Sequence, residues 1–354
     1  MTFYVLKDPK TGTIIKSSFD RVFRNDDYEV FFNSRTGLEV TRGLPGKSDP
    51  IKTELPLLLD IGIMGSCKNK CSFCYQGDGN EPNMTLDNFK RIMDQTNYHV
   101  NQIALGGRGD PNKHENFAEI LTYARDSGVV PSYTTSGIDL TDEEIEISKM
   151  CGAVAVSDYG QDMTYEAIQR FINAGIKTNI HLIFSSASFQ KCIQLLYGTN
   201  PWTERIAHQD VPRFHFTKLN GVVFLLFKPQ GRGAKCPDLA PSKYQLKVMA
   251  EKVLSPNEDV KFKVGIDSCL ANHLYKFGNV SELHDLVIDS CEAGRMSAYI
   301  TPAMEMMPCS YADKSLAIPI TKEKDISYIW NRSRSFKGFR SILKKNPYTC
   351  PAGF

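Results

Sequence analysis

Hydrophobic positions change rhythm along the chain. Residues 1–52 are polar and rich in turn formers, with one hairpin signal: 28–32 and 38–41 flank the turn Asn33-Ser34-Arg35-Thr36-Gly37. From Leu57, just after Pro56, short apolar runs alternate with stretches of helical period. The runs are 57–63, 102–105, 130–135, 153–157, 177–183 and 222–227. Helical patterns follow at 85–98, 115–127, 142–150, 163–174, 189–197 and 242–254. Thr85, Thr141 and Ser242 stand where N-caps belong, and Gly128, Gly152, Gly175 and Gly198 where helices stop.

Six strands, each followed by a helix, predict an α/β fold with a parallel sheet and right-handed crossovers. Six units suffice for a partial (β/α)6 version of the eight-unit TIM barrel, in which ligands gather at the carboxyl ends of the strands. After about Pro256 the alternation stops. There 260–266 reads as a strand, 281–290 as a helix, 298–301 with 305–308 as a hairpin, and 328–345 as mostly helical. The chain therefore divides into an N-terminal extension with a hairpin (1–56), the core (57–255) and a small C-terminal domain (256–354).

Composition narrows the class. Of 354 residues, 42% are hydrophobic and 23% charged, as in ordinary globular proteins, and 42 basic against 40 acidic side chains leave a net charge of +2. That balance gives no footprint for general nucleic-acid binding. The first residues lack an apolar signal core and no run reaches membrane-spanning length, so the expected location is cytoplasmic and off the membrane. Ten cysteines then need a reason, because disulfides are rare in a reducing cytosol. Cys67, Cys71 and Cys74 crowd together, Cys269, Cys291, Cys309 and Cys350 spread through the last quarter, and Cys151, Cys192 and Cys236 lie between. Clustered thiols in a reducing compartment favour metal over disulfide.

The first three cysteines directly follow the first core strand. Three thiolates within eight residues can supply three irons of one cubane cluster, and with no fourth cysteine nearby one iron stays open. Structural zinc wants four ligands, commonly with a C-x2-C pair at each end, and His99 and His114 lie far off without a pairing pattern. Ferredoxin-like carriers use four cysteines per cluster with other spacings.

The C-x3-C-x-aromatic-C spacing, on a loop after the first strand of a six-fold β/α alternation, resembles the radical S-adenosylmethionine (SAM) superfamily. The resemblance implies a [4Fe–4S] cluster whose open iron is chelated by the amino and carboxylate groups of SAM. It implies reductive cleavage to a 5′-deoxyadenosyl radical that takes a hydrogen atom from the substrate, with electrons from a flavodoxin- or ferredoxin-type reductant. Gly106-Gly107, after the second strand, resembles the Gly-Gly-Glu motif beside the SAM methionine; Arg108 replaces the acidic residue, and Asp110 is the candidate stand-in. Ser136 and Ser157, at the third and fourth strand ends, and Asn179, on the fifth strand, resemble polar groups that contact SAM carboxylate or ribose. Phe73 and Tyr75 are candidates for shielding the cluster and contacting adenine; core aromatics are the plainer reading.

The tail carries a second resemblance. Cys291-x2-Gly294, Ile300-Thr301-Pro302, Pro308-Cys309, Trp330 and the late Cys350 resemble the auxiliary-cluster extension called SPASM or twitch. A full SPASM domain has seven cysteines and two clusters; this tail has four and lacks the C-x2-C-x5-C run, so the one-cluster twitch form fits better. Cys269, Cys291, Cys309 and Cys350 would close all four irons of a second [4Fe–4S] cluster, making it an electron conduit rather than a binding site. Buried apolar cysteines and a zinc site are the alternatives.

Three further residues are catalytic candidates. Arg232, in the Lys228-to-Gly233 segment after the sixth strand, can fork onto a carboxylate of SAM or substrate, or face solvent. Cys236 is spare for either cluster and can return a hydrogen atom to a substrate radical, or be structural. Tyr159 is a similar candidate. Cys151 and Cys192 read as core thiols, and His181 as a satisfied interior histidine.

The leading functional expectation is peptide modification, on a ribosomally made precursor or a protein side chain, by crosslinking, epimerisation or oxidation. The second is a dehydrogenase or rearrangement enzyme acting on a small molecule such as an aminocyclitol or nucleotide. A non-catalytic electron carrier is disfavoured by the open three-cysteine site. Ahead of the core stand 56 residues, fewer than the roughly 80 of a small leader-binding domain, yet the hairpin offers an edge for an added peptide strand.

Overall fold

The computed structural model describes residues 2–7, 14–48, 50–96, 99–198, 216–254, 256–277 and 291–353. The helix expected over 281–290 lies outside them. At the N-terminus, β1 (Thr2–Lys7) pairs with β2 (Ile14–Phe19). A second antiparallel sheet joins β3 (Arg21–Arg24), β4 (Tyr28–Phe32) and β5 (Glu39–Gly43). The last two are the hairpin expected from sequence.

The core strands are β6 (Leu58–Met64), β7 (Gln102–Gly107), β8 (Val130–Thr135), β9 (Ala153–Ser157), β10 (Thr178–Phe184) and β11 (Gly221–Leu226). Between them run α1 (Leu86–Thr96), α2 (Phe117–Asp126), α3 (Asp142–Ser148), α4 (Asp162–Asn173) and α5 (Phe189–Leu196), and α6 (Lys243–Leu254) follows. The starts of three helices are set by their caps. Thr141 and Glu144 form a reciprocal capping box at α3, Ser242 and Gln245 do the same at α6, and Thr85 Oγ1 accepts the Asn88 N–H at α1. In α1 the buried residues Phe89, Ile92, Met93 and Thr96 recur at helical spacing and lay one stripe on the sheet.

The main sheet has ten strands in the order β12-β11-β10-β9-β8-β7-β6-β13-β14-β15. Its six central strands lie side by side in chain order, all parallel, so it is an open sheet rather than a closed barrel. The alternation goes one step further than the sequence pattern suggests: β12 (Lys263–Ile266) adds parallel to β11, and α7 (Ser268–Leu274) follows it. At the other edge β13 (Ser297–Ile300) pairs parallel with β6, then turns back as β14 (Glu305–Met307) and β15 (Ile318–Pro319). The last quarter of the chain is thus continuous with both edges of the core.

The expected helix near the end is two helices, α8 (Ile326–Arg332) and α9 (Arg334–Lys345). Trp330 is fully buried; its Nε1 donates to Thr53 O at 2.9 Å, and the Arg340 guanidinium stands 4.4 Å from its ring centroid. Arg340 also donates to Gly294 O at 2.6 Å and Trp330 O at 2.7 Å. Trp330→Ala should cost about 3–5 kcal/mol, the range for truncating a large buried aromatic. Chemical denaturation checks this, and a loss below about 1 kcal/mol would show that the tail docks without it.

Candidate functional site

β6 opens directly into residues 65–85, which carry Cys67, Cys71 and Cys74 and contain no helix or strand. The loop is shaped from outside by two guanidinium groups. Arg232 Nε donates to Cys71 O at 2.8 Å, and its Nη1 donates to Gly77 O at 3.2 Å and Asp78 Oδ1 at 2.8 Å. On the other flank Arg108 Nη1 donates to Gln76 O at 2.6 Å, while Nη2 meets Glu81 at 3.5 Å. Two glycines let neighbouring segments approach. Gly231, at φ +54°, has Tyr75 O where a Cβ would come within 2.4 Å, and Gly107, at φ +114°, has Met64 O equally close.

A cavity of about 490 Å³ lies inside the carboxyl ends of the core strands, within the range of roughly 300–1,000 Å³ usual for small-molecule sites. Cys67, Cys71, Cys74, Phe73, Tyr75, Gly106, Gly107, Asp110, Ser136, Ser157 and Tyr159 all line it. Asp110 joins two strand ends: its Oδ1 accepts the Ser136 N–H at 2.8 Å and its Oδ2 the Ser136 hydroxyl at 2.5 Å. Asn69 Nδ2 donates to the same hydroxyl at 3.1 Å, tying the cysteine loop in. Burial pushes the Asp110 carboxyl above its ordinary range despite these bonds. The Phe73 and Tyr159 rings meet at 5.5 Å and those of Tyr75 and Tyr311 at 4.5 Å. Burial raises the Tyr75 and Tyr159 phenols, which are therefore neutral.

Three expected site residues take other positions. Arg232, expected to fork onto a carboxylate of SAM or substrate, forks instead onto Asp78 and loop carbonyls, and it does not line the cavity. Asn179 is the second residue of β10, at the amino end, where its Oδ1 accepts from Asn220 Nδ2 at 2.6 Å. The Cys236 thiol points at Ser72 O, 3.7 Å away behind the cysteine loop, not into the cavity. Conversely, Asp60, Thr134, Lys228, Tyr299 and Tyr311 line the cavity without having been singled out. Asp60 had a legible signal, a lone carboxyl within an apolar strand; burial pushes it up to about 6. His181 also lines the cavity: burial pushes it down to about 4, and its Nδ1 is 3.4 Å from Thr134 Oγ1.

Cys269 packs against the main core, while two other tail cysteines meet at a second, smaller apolar cluster. Cys291, Ala293, Tyr299, Met307, Ala312, Phe339 and Leu343 form it, and Cys309 packs against it. Burial first, then the charge of neighbouring thiols, raises Cys291 to about 11 and Cys309 to about 12; burial first, then the Asp267 carboxylate and neighbouring thiols, moves Cys269 upward. Cys350 is among the thiols acting on all three. The Tyr275 and Tyr348 rings stack at 3.6 Å, fastening the end of α7 to the segment that holds Cys350.

All ten cysteines are free thiols. Among the described residues no three His, Cys, Asp or Glu groups surround one point as a lone metal ion requires. A cubane cluster instead spreads its protein ligands, one thiolate to each iron. Three free thiols on one loop, lining a cavity with no fourth cysteine in its wall, fit that donor pattern.

A mixed α/β sheet with a parallel core whose first core strand feeds such a loop at its carboxyl rim is a frame in which an iron–sulfur cluster and SAM would be held side by side. Residues 61–183 match the model of the Radical SAM superfamily, so this stretch of the chain is a radical SAM domain. The chain is similar to mycofactocin maturase MftC of Mycolicibacterium smegmatis, 23% identical over 81% of this chain and 73% of that one. A shorter stretch, 22% of the chain, is 32% identical to an S-adenosylmethionine-dependent nucleotide dehydratase of Selenomonas ruminantium and covers 29% of it. The fold is shared with SuiB of Streptococcus suis, solved with SAM bound, at a TM-score of 0.61, 18% identity, and coverage of 82% of this chain and 69% of that one. No helix among the described residues is long and apolar enough to cross a membrane.

Arg232→Met removes three bonds to the cysteine loop, two of them to main-chain oxygens. The expected outcome is lower iron content in the reconstituted protein with an unchanged circular dichroism spectrum. A variant that takes up as much iron as the wild type would show that the loop is held without this residue.

Proposed function

We propose that the chain modifies a peptide, and that Cys269, Cys291, Cys309 and Cys350 hold a second, fully ligated [4Fe–4S] cluster of the twitch type. The observation that carries the peptide reading is the likeness, along most of the chain, to a protein named a maturase. SuiB, whose fold is shared, has also been solved with its precursor peptide SuiA. The nucleotide dehydratase likeness favours the small-molecule alternative less, because it spans only 22% of the chain.

When bound, the open cluster and SAM supply reductive cleavage of SAM and, through it, hydrogen-atom abstraction from the substrate. The chain's own residues prepare the place. Cys67, Cys71 and Cys74 anchor the cluster, while Arg108 and Arg232 fix the loop that carries them. Gly106 and Gly107 leave room for the methionine end of SAM, and Asp110, Ser136 and Ser157 offer polar contacts at the neighbouring strand ends. Phe73 and Tyr159 exclude water on one side, and Tyr75 with Tyr311 on the other. The second cluster would accept an electron from the substrate or pass one inward. A cytoplasmic location and a flavodoxin- or ferredoxin-type reductant complete the proposal.

Anaerobically reconstituted protein should hold about eight irons, and the Cys67/Cys71/Cys74→Ala triple variant about four. A wild-type content of four that Cys291→Ala and Cys309→Ala leave unchanged would remove the second cluster. Dithionite-reduced protein should release 5′-deoxyadenosine from SAM, and Cys71→Ala should abolish this; cleavage by a cluster-free variant would overturn the assignment of these thiols. With a short peptide encoded beside the gene, mass spectrometry should show a changed peptide. Cys309→Ala, once shown to be folded and to keep its three-cysteine cluster, should still make 5′-deoxyadenosine while the changed peptide falls sharply. Wild-type yields of changed peptide from that variant would exclude the second cluster from the mechanism.

A further inference from the structure

Lys228 follows β11 and is only 5% exposed, although a buried ammonium is costly unless closely paired. Its Nζ donates to Asp267 Oδ2 at 2.7 Å and Leu226 O at 2.8 Å, and stands 4.6 Å from the centroid of the Tyr311 ring. Both side-chain partners adjoin tail cysteines. Asp267 precedes Cys269 by two residues, and Tyr311 follows Cys309 by two, its N–H donating to Cys309 Sγ at 3.4 Å. Lys228 also lines the cavity that Cys67, Cys71 and Cys74 face, so this one cation stands between the two cysteine sets.

Packing alone does not account for an ammonium here. Asp267 already accepts the Leu270 N–H at 2.7 Å, as the cap of α7, and the Leu226 N–H at 3.1 Å. An apolar side chain of similar length would fill the same volume without the desolvation cost. What the ammonium adds is a fixed positive charge, held against Asp267, two residues from Cys269, and over the ring of Tyr311, two residues from Cys309.

We propose that Lys228 is a positioning residue for charge: it raises the reduction potential of the second cluster, with Asp267 as the opposing charge. The inference rests on the reading that the four tail cysteines hold that cluster. Reduction adds one negative charge to a cluster, and a nearby cation stabilises the reduced form more than the oxidised one. Net charge and hydrogen bonds to sulfur are among the levers that set such potentials. The same location lets the cation act on the second cluster while its ring partner, Tyr311, contacts Tyr75 beside Cys74.

The test is a redox titration of the reconstituted full chain followed by electron paramagnetic resonance, with the second cluster recognised as the signal that added SAM leaves unchanged. Lys228→Met should move its midpoint to a more negative potential, and Lys228→Arg should stay near the wild type. Asp267→Asn, which keeps an acceptor for the α7 cap, should move it the opposite way. An unmoved midpoint in Lys228→Met, or shifts of the same sign in Lys228→Met and Asp267→Asn, would overturn the proposal. If Lys228→Met does not take up the second cluster, the sign of the Asp267→Asn shift decides. Iron content separates this failure from that of the underlying reading. About four irons and a single signal in the wild type remove the second cluster and the proposal with it, whereas about eight irons and an unmoved midpoint overturn the proposal alone.

Discussion

Everything at this site depends on holding a stretch of chain that cannot hold itself. Residues 65–85 form no helix or strand, so their carbonyls have no ladder to pair with. The structure answers with guanidinium groups from both flanks, Arg108 from the end of β7 and Arg232 from the segment after β11. Both reach main-chain oxygens and so hold the loop without engaging its thiols, all three of which line the cavity. Because the two arginines come from distant strands, the shape of the loop is tied to the spacing of the whole sheet. Arg108 follows Gly106-Gly107 and lines the cavity as well as holding the loop.

The second set of cysteines is built on the same sheet rather than beside it. β13 lies directly against β6, and the hairpin it begins carries the chain from Cys291 to Cys309. Cys269 arrives from the opposite edge, on α7 after β12. Tyr75 and Tyr311 meet where the two sets approach each other. The distance between the sets is therefore fixed by β-sheet geometry, which tolerates little change, and not by a flexible tether.

The core strands were legible because each apolar run is short and bounded by a cap or a glycine; the observed strands begin and end within two residues of the sequence pattern. Pairing partners were not legible. Nothing local to 297–300 says that it docks on a strand formed some 240 residues earlier, and β1 to β3 expose apolar residues such as Phe3, Val5, Ile14 and Val22, so alternation does not mark them. The three thiols of the first loop stand out by their spacing and their place after the first core strand, and the structure sets all three on one cavity wall. Arg232 was placed at the right rim but given the wrong partners, because a sequence shows that a guanidinium is near the site, not which way it points. Asn179 was avoidable: the run over 177–183 already placed it near the amino end of its strand, and ligands collect at the other end. Asp60 shows the reverse case, a carboxyl whose inward position could have been read from strand alternation.

The order of the main sheet also bears on how the chain comes off the ribosome. β6 is the first core strand to be made, yet one of its two neighbours, β13, is among the last elements. For most of synthesis an apolar strand keeps one row of main-chain donors and acceptors without a partner, an invitation to pair with another molecule. Closing that seam late gives the fold long-range contacts of the kind that slow folding. Because the same closure brings the tail cysteines to the core, any metal centre they hold would assemble only after that late strand is made, whereas the three-cysteine loop is synthesised much earlier.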